Sequence, residues 1–534
     1  MNLAHALERT AQRQPEARAL SGRGAEDGRT YAEVLERVER LSTGLDQLGV
    51  AAGDRVAILM KNHAAFIETS FAVYRLGAIK VPLNSMLTPS EHAMLVSDAD
   101  VDTLVVETSF LEHCEEIQAS FETVITVGDG DGDGNDDVAL SFASMSKDYD
   151  KLIVETEPNT ETADVSLDDR CALMYTSGTT GRPKGVQHTH GTWLSTALGL
   201  KSVLEQTDGE VTLHAAPLTH GSGFLVESTV LAGGRNHVQD GFEPNRFLET
   251  VEEVGVNTVF VAPTMIYKLL DNYDGSESYD TSSLQSIYYA GSPMTAARIE
   301  EGIEKLGNVF VQSYGQMECP MIATVLDRDD HRIATENETH RQRLQSAGRE
   351  VDIAHLRIVD DDGESVPRGE VGEVVLKGPH VTPGYWNLPD ATEETFSDGW
   401  LYTGDMARVD EDGYLYIMDR KKDMIITGGM NVFPREIEEV IVEHERVSNA
   451  AVIGVPDEYW GEKVTALVEP RPNETVDDEA LIEAIRERCA ERLAAYKKPK
   501  TIEILDELPR NSYGKVLKTE LREAYWDETD RNVN

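Results

Sequence analysis

Basic residues, cysteines and long apolar runs are all scarce in this sequence, and each scarcity excludes something. Lys and Arg number 49 against 96 Asp and Glu, giving a formal net charge of −47 over 534 residues. So acidic a surface repels nucleic acid and anionic membranes, and neither is expected as a partner. It also repels polyanions such as nucleotides except where cations are gathered locally. The acid excess is spread along the chain rather than collected in a tail. It reads as a solvated surface adapted to concentrated salt, where screening shortens repulsion to about 3 Å at 1 M. The four cysteines, Cys114, Cys171, Cys319 and Cys489, are too widely spaced for a metal-ligand pair or a disulfide framework. That usage fits a reducing, cytoplasmic location. No run of about 18 apolar residues occurs, so no membrane span is expected. Met1–Gln14 carries Glu8, Arg9 and Arg13 where a signal peptide would have an apolar core.

What is present is a chain long enough for two or more domains, with 40% hydrophobic residues to build their cores. Val34, Leu35, Val38, Leu41, Leu45 and Leu48 recur at helical spacing, and Gly49 and Gly53 are expected to end that helix. Short apolar runs (Arg55–Met60, Ala78–Leu83, Thr103–Val106, Val124–Val127) alternate with helical patterns, as in α/β sheets covered on both faces. Asp129–Asp137 is rich in Asp and Gly, but a calcium loop needs a Glu where this chain has Leu140; a solvated connector is the better reading.

One stretch organises the rest. Cys171–Tyr175 reads as a buried strand, and Thr176-Ser177-Gly178-Thr179-Thr180-Gly181-Arg182-Pro183-Lys184-Gly185 follows it. Glycines that let backbone N–H groups approach a ligand, four hydroxyls and two cations together suit a polyphosphate. It is not the common P-loop, because no hydroxyl follows Lys184. By composition alone a flexible surface loop would be the commoner outcome. Further along, Val211–Ala216 leads into Pro217-Leu218-Thr219-His220-Gly221-Ser222-Gly223-Phe224, and Ser286–Ala290 ends in Gly291-Ser292-Pro293. Val309-Phe310-Val311 leads into Gln312-Ser313-Tyr314-Gly315-Gln316-Met317-Glu318. There an aromatic ring can stack on a base, a glycine lets the base near the backbone, and a carboxylate offers a hard oxygen to Mg²⁺. Asp405, after Thr403-Gly404, reads as a turn cap or a double acceptor, and Arg420-Lys421-Lys422-Asp423 reads as a solvated linker. No convincing Ser-His-Asp set is visible.

These motifs, in this order, resemble the adenylate-forming (AMP-binding) superfamily of acyl-CoA synthetases, carrier-protein-loading adenylation domains and beetle luciferases. The resemblance runs from Tyr175 to Lys515 and, with the N-terminal region, covers nearly the whole chain. It implies an α/β fold: a large N-terminal domain of α/β sheets (1–419, with a β-rich subdomain at about 369–419) and a small mobile C-terminal α+β domain (420–534), hinged at about 419–422 on Lys422. It implies that ATP is bound by Thr176, Ser177, Gly178, Thr179, Thr180, Gly181 and Lys184. Gly291, Ser292 and Pro293 would lie beside the adenine, with Gln312, Ser313, Tyr314 and Gly315. Asp405 and Arg420 would hold the ribose, and Thr176 and Glu318 the Mg²⁺. His220 would border the carboxylate tunnel, with Phe224 a weaker candidate for its wall, and Lys515 in the Pro509-Arg510 run would be the catalytic lysine. The chain departs from the family at Met317, where a Thr hydroxyl usually meets the phosphate.

The reaction implied joins a carboxylic acid to ATP as an acyl-adenylate, releases pyrophosphate, and passes the acyl group to CoA. Medium-chain fatty, branched or aromatic acids suit the apolar residues around His220, Met317 and Met321. Acetate suits less, since no Trp stands in Gln312–Glu318 to close the tunnel. Three alternatives are weaker. Carrier-protein loading meets an acidic partner with an acidic surface. A luciferase would have a lysine where this chain has Ile426. A binding-only relative would not need Lys515, Glu318 and Asp405 together. A homodimer is the oligomeric state entertained.

Overall fold

Parallel strands joined through helices dominate the first three-quarters of the chain, as the alternating pattern leads one to expect. The computed structural model describes residues 1–111, 113–117, 121–128, 146–176, 183–273, 279–457, 459–471, 477–510 and 516–526. The chain divides into two units. The first comprises Met1–Leu356, Leu376–Tyr402 and Asp412–Leu415; the second comprises Arg357–Val375, Thr403–Glu411 and everything from Tyr416 onward.

The first unit holds two large sheets. Among the described residues one has seven strands in the order Ser146–Asp148, Thr123–Val127, Thr103–Glu107, Arg55–Leu59, Ile79–Leu83, Arg170–Thr176, Lys184–Thr189. All its pairings are parallel except the last, a hairpin in which Thr176 faces Lys184. The other has nine strands in the order Arg349–Glu350, Cys319–Leu326, Phe310–Gln316, Ser286–Tyr289, Thr258–Val261, Val211–His214, Arg235–Val238, Arg18–Gly22, Ala25–Thr30. Its inner strands run parallel, and antiparallel hairpins close both edges.

Local chemistry explains the elements. The early helix spans Tyr31–Gln47, capped by a Thr30–Glu33 capping box, a device worth about 1 kcal/mol. It stops at Gln47, before Gly49, with Val34, Val38, Leu41 and Leu45 buried. The parallel strands are short, mostly apolar and fully buried (Ile79–Leu83, Thr103–Glu107, Ser286–Tyr289), as strands covered on both faces are. Trp193, Phe224, Leu225, Tyr288 and Ile322 share one core cluster with Val38, Leu41 and Phe71.

Residues 355–420 contribute the short strands His355–Val359, Gly372–Lys377, Phe396–Ser397, Trp400–Val409 and Leu415–Arg420. The Thr403-Gly404 pair, expected as a tight turn, lies inside the strand Trp400–Val409; Gly404 takes φ +69° there without breaking it. The second unit ends in a sheet ordered Met430–Val432, Ile425–Thr427, Gly461–Pro470, Val447–Asp457, with Thr501–Ile504 parallel to Gly461–Pro470. Helices Pro434–Val442 and Asp478–Arg492 bury Ile437, Ile441, Leu481 and Ile485 against it. No described helix is long and apolar enough to cross a membrane.

Candidate active site

Parallel sheets commonly gather ligand-binding loops at the carboxyl ends of their strands, and the nine-stranded sheet brings the candidate turns to one such edge. Val211–His214, Thr258–Val261, Ser286–Tyr289 and Phe310–Gln316 are parallel neighbours, with Tyr289 paired to Gln312. The turns carrying His220, Gly291–Pro293 and Met317–Glu318 therefore all leave the same edge. Gly291 takes φ +89° in an exposed turn with Ser292 and Pro293. Gln312 and Ser313 are buried, and the Ser313 hydroxyl lies 2.6 Å from the Tyr288 hydroxyl, which also donates to the Met321 carbonyl at 3.1 Å. Tyr314 and Gly315 are half-buried at the strand's end.

Gly315 has a reason that sequence did not disclose. A Cβ there would lie 2.8 Å from the Cys319 carbonyl oxygen and 3.0 Å from the Met321 nitrogen, so the returning strand needs glycine for its own close approach. That strand is irregular. Met321 has φ +69°, and the ladder slips between Tyr314 and Gln316. Such bulges re-aim side chains at functional edges. Met317 and Glu318 form the two-residue turn, and Met317 and Met321 both pack on the core cluster.

Glu318 is 9% exposed and accepts a 2.6 Å hydrogen bond from the Tyr385 hydroxyl on Oε1. The Lys184 ammonium stands over the Tyr385 ring, 4.7 Å from its centre. Tyr385 thus bridges the phosphate-loop hairpin and the carboxylate. Backbone bonds hold it there. Thr382 N–H donates to the Glu318 carbonyl (2.9 Å), Gln187 N–H to the Gly384 carbonyl (3.0 Å), and Trp386 N–H to the Gly185 carbonyl (2.7 Å). The Gln187 side chain adds a bond to the Tyr385 carbonyl at 2.7 Å. Beside Glu318, Cys319 and His380 lie buried with Sγ and Nε2 3.1 Å apart. Burial pushes that thiol up and lowers the imidazole to about 4, so both are neutral.

His220 precedes the short 3₁₀ turn Gly221–Phe224 and is exposed, yet the protein around it lowers its pKa by desolvation. Both properties fit a ring lining a concavity. Ser222, next but one, belongs to an array the sequence hid. Its hydroxyl is 2.9 Å from His214 Nδ1, and His214 Nε2 is 2.7 Å from Asn236 Oδ1. All three are fully buried, which denies Ser222 any substrate and makes the array a clamp on the turn that His220 opens.

In the second unit, Asp405 and Arg420 meet directly, Oδ1 to Nε at 2.7 Å, with Asp405 buried and Arg420 partly open. Thr403 Oγ1 accepts from the Asp405 N–H (3.1 Å) and donates to the Val374 carbonyl (2.8 Å), fixing the carboxylate's base. Lys422 sits in the short 3₁₀ turn Lys421–Asp423, and its carbonyl accepts from Arg522 at 3.2 Å. Ser177, Gly178, Thr179, Thr180, Gly181, Arg182, Lys515 and the acidic stretch 129–137 lie outside the described residues.

The donors fit Mg²⁺. Thr176 offers a hydroxyl and Glu318 a carboxylate, both hard oxygens. The described residues contain no group of three His, Cys, Asp or Glu that would cage a metal unaided. Mg²⁺ needs no such cage when nucleotide phosphates and water complete its shell. Sequence reasoning missed Tyr385, Tyr288 and the His214 array.

Comparisons agree along the whole chain. The AMP-binding enzyme domain matches residues 7–386, and the AMP-binding enzyme C-terminal domain matches residues 436–515. The chain is 35% identical over 516 residues to the medium/long-chain-fatty-acid–CoA ligase FadD8 of Mycobacterium tuberculosis, covering 94% of this chain and 87% of that one. It is 39% identical over 528 residues to a feruloyl-CoA synthase of Amycolatopsis sp, covering 97% and 98%. Among solved structures, o-succinylbenzoate CoA synthetase (MenE) of Bacillus subtilis, in complex with the acyl-adenylate intermediate OSB-AMP, superposes with a TM-score of 0.82 at 31% identity, covering 97% of each chain. This chain belongs to the AMP-binding enzyme family.

Proposed function

We propose that this chain is an AMP-forming carboxylate–CoA ligase acting on a medium-chain fatty, branched or aromatic acid. The observation that carries the reading is the cluster of Lys184, Tyr385 and Glu318, which sets a phosphate-binding cation and a metal-binding carboxylate on either side of one tyrosine. The acid's carboxylate attacks the α-phosphorus of ATP in line, and pyrophosphate leaves. Charge grows on the transferring oxygens, so donors placed beforehand do most for the rate. The loop N–H groups with Thr179, Thr180 and Lys184 hold the β- and γ-phosphates. Tyr314 stacks on the adenine beside Gly291–Pro293, while Asp405 and Arg420 take the ribose hydroxyls. Glu318 and Thr176 would hold Mg²⁺, which would offset phosphate charge. His220 borders the acid, and Lys515 bridges carboxylate and α-phosphate as a compact point charge.

The CoA thiol then attacks the acyl carbonyl and AMP leaves. Residues 420–534 act as a mobile domain turning at Lys422, which removes Lys515 and brings up Gly428 and Gly429. A cytoplasmic location and a homodimer belong to the same proposal. The sequence relatives named for a fatty acid and for ferulate support an apolar acid over acetate. The test is carboxylate-dependent exchange of labelled pyrophosphate into ATP, in molar KCl with Mg²⁺, for the native chain and Lys515→Ala. Exchange with some acids, lost in the variant, and acyl-CoA on adding CoA are expected. No exchange with any acid would leave a nucleotide binder. Exchange without CoA acylation would point to a carrier protein as acceptor.

A further inference from the structure

Beside the turn that His220 opens lies a set of buried polar side chains to which the reaction above gives no task. His188, on the strand Lys184–Thr189, and Trp193, on the following helix, meet edge to face with ring centres 5.3 Å apart. Trp193 stacks on Phe224 at 4.5 Å, and Phe224 belongs to the same turn as His220. The Lys80 ammonium stands 4.1 Å from the centre of the Trp193 ring and 3.8 Å from Glu227 Oε1, which takes the Tyr74 hydroxyl at 2.9 Å. His188, Trp193, Phe224, Lys80, Glu227 and Tyr74 are each at most 3% exposed.

Several of their polar atoms have no protein partner. Trp193 Nε1, Glu227 Oε2 and both nitrogens of His188 are buried without a hydrogen bond. Such atoms are a small minority of the buried polar groups in folded proteins and are usually scattered. Four on three neighbouring side chains mark a place where something else supplies the bonds.

We infer that this cluster is the far wall of the acid-binding cavity and receives a hydroxyl group at the distal end of the substrate's acyl chain. The inference rests on the carboxylate–CoA ligase reading. The chemistry selects the group by elimination. Trp193 Nε1 only donates, Glu227 Oε2 only accepts, and neutral His188 does one of each. Burial lowers His188 to about 3, so it stays neutral at working pH. Lys80 and Glu227 already offset each other at 3.8 Å, so a charged distal group would bring an uncompensated charge into a buried site, and a plain methyl would leave every atom unmet. A hydroxyl both donates and accepts.

The test compares acids of matched length with and without the distal hydroxyl, 4-hydroxycinnamate against cinnamate and 8-hydroxyoctanoate against octanoate, in the pyrophosphate-exchange assay. Sites built to bond a hydroxyl reject the analogue lacking it strongly. The expected preference in kcat/KM is at least about 10-fold for the hydroxylated member of one pair. It should fall below about 3-fold in Trp193→Phe, which keeps the stack on Phe224, and in His188→Leu. Equal use of both members by the native chain overturns the inference, leaves adenylation standing and assigns the cluster to buried water. An undiminished preference in variants that melt like the native chain also overturns it. If neither variant folds, the native ratio alone decides. No exchange with any acid overturns the ligase reading and this inference with it.

Discussion

Replacing Tyr385 by Phe removes one oxygen and tests the bridge at the centre of the site. The ring stays, and with it the Lys184 ammonium 4.7 Å from its centre. What is lost is the 2.6 Å hydrogen bond to Glu318 Oε1. Glu318 is 9% exposed, so solvent replaces that bond poorly. Hydrogen bonds to charged groups contribute about 1.5–3 kcal/mol. If the bond serves to aim the carboxylate, that is about a 10- to 150-fold loss in kcat/KM for ATP, with a raised half-saturating Mg²⁺ concentration. Pyrophosphate exchange across a Mg²⁺ titration reads both, and calorimetric binding of ATP with and without Mg²⁺ separates metal positioning from general damage. A Tyr385→Phe protein with native Mg²⁺ dependence and kcat/KM within about 3-fold of native would refute the bridge, since 3-fold is under ~1 kcal/mol.

Other consequences are as direct. Gly315→Ala puts a Cβ 2.8 Å from the Cys319 carbonyl oxygen; overpacking of that kind costs about 1–3 kcal/mol, and the melting temperature should fall even without ligand. Five fully buried histidines, His188, His190, His214, His331 and His380, are held neutral by burial with pKa values lowered to about 3 or 4. As pH falls below about 6.5 the unfolded chain takes up their protons first, so stability present above that pH is lost at up to about 1.4 kcal/mol per histidine per pH unit. Melting temperature should drop steeply between pH 6.5 and 4.5; a flat profile would show that these imidazoles titrate normally. With a net charge of −47, moving from molar to near-zero KCl should lower the melting temperature, and an unchanged value would refute adaptation to salt.

Periodicity disclosed the fold because buried parallel strands leave continuous apolar runs. Arg55–Leu59, Ile79–Leu83 and Thr103–Glu107 stand within a residue or so of where the pattern puts them. The strand entering the phosphate loop and the strand ending near Glu318 were legible for the same reason, joined to an unusual density of glycine, hydroxyl and charge; the return strand Lys184–Thr189 was not foreseen. Thr403-Gly404 was misread as a turn because glycine ordinarily breaks strands, whereas here its N–H bonds the Glu373 side chain at 3.0 Å and the strand continues. Tyr385 was illegible because its partner is 67 residues away and nothing local distinguishes it from a tyrosine in a turn. His214, Ser222 and Asn236 were hidden likewise, since three strand and turn residues become an array only when the sheet aligns them. Ser177–Gly181 and Lys515 rest on the motif alone.

The strap at 382–386 is fastened mainly through main-chain groups, its amides and carbonyls bonding Glu318, Gly185 and Gln187. Attachment of that kind is blind to side-chain identity. Outside Gly384 and Tyr385, mutation can therefore alter the strap's residues without loosening its main-chain seat, and the Lys184 hairpin and Glu318 keep their alignment while the surface above them drifts. For an engineer, the strap is a replaceable cassette. A donor segment of equal length that keeps the glycine at 384, whose φ is +138°, and the tyrosine at 385 inherits the alignment without redesign of the sheets beneath.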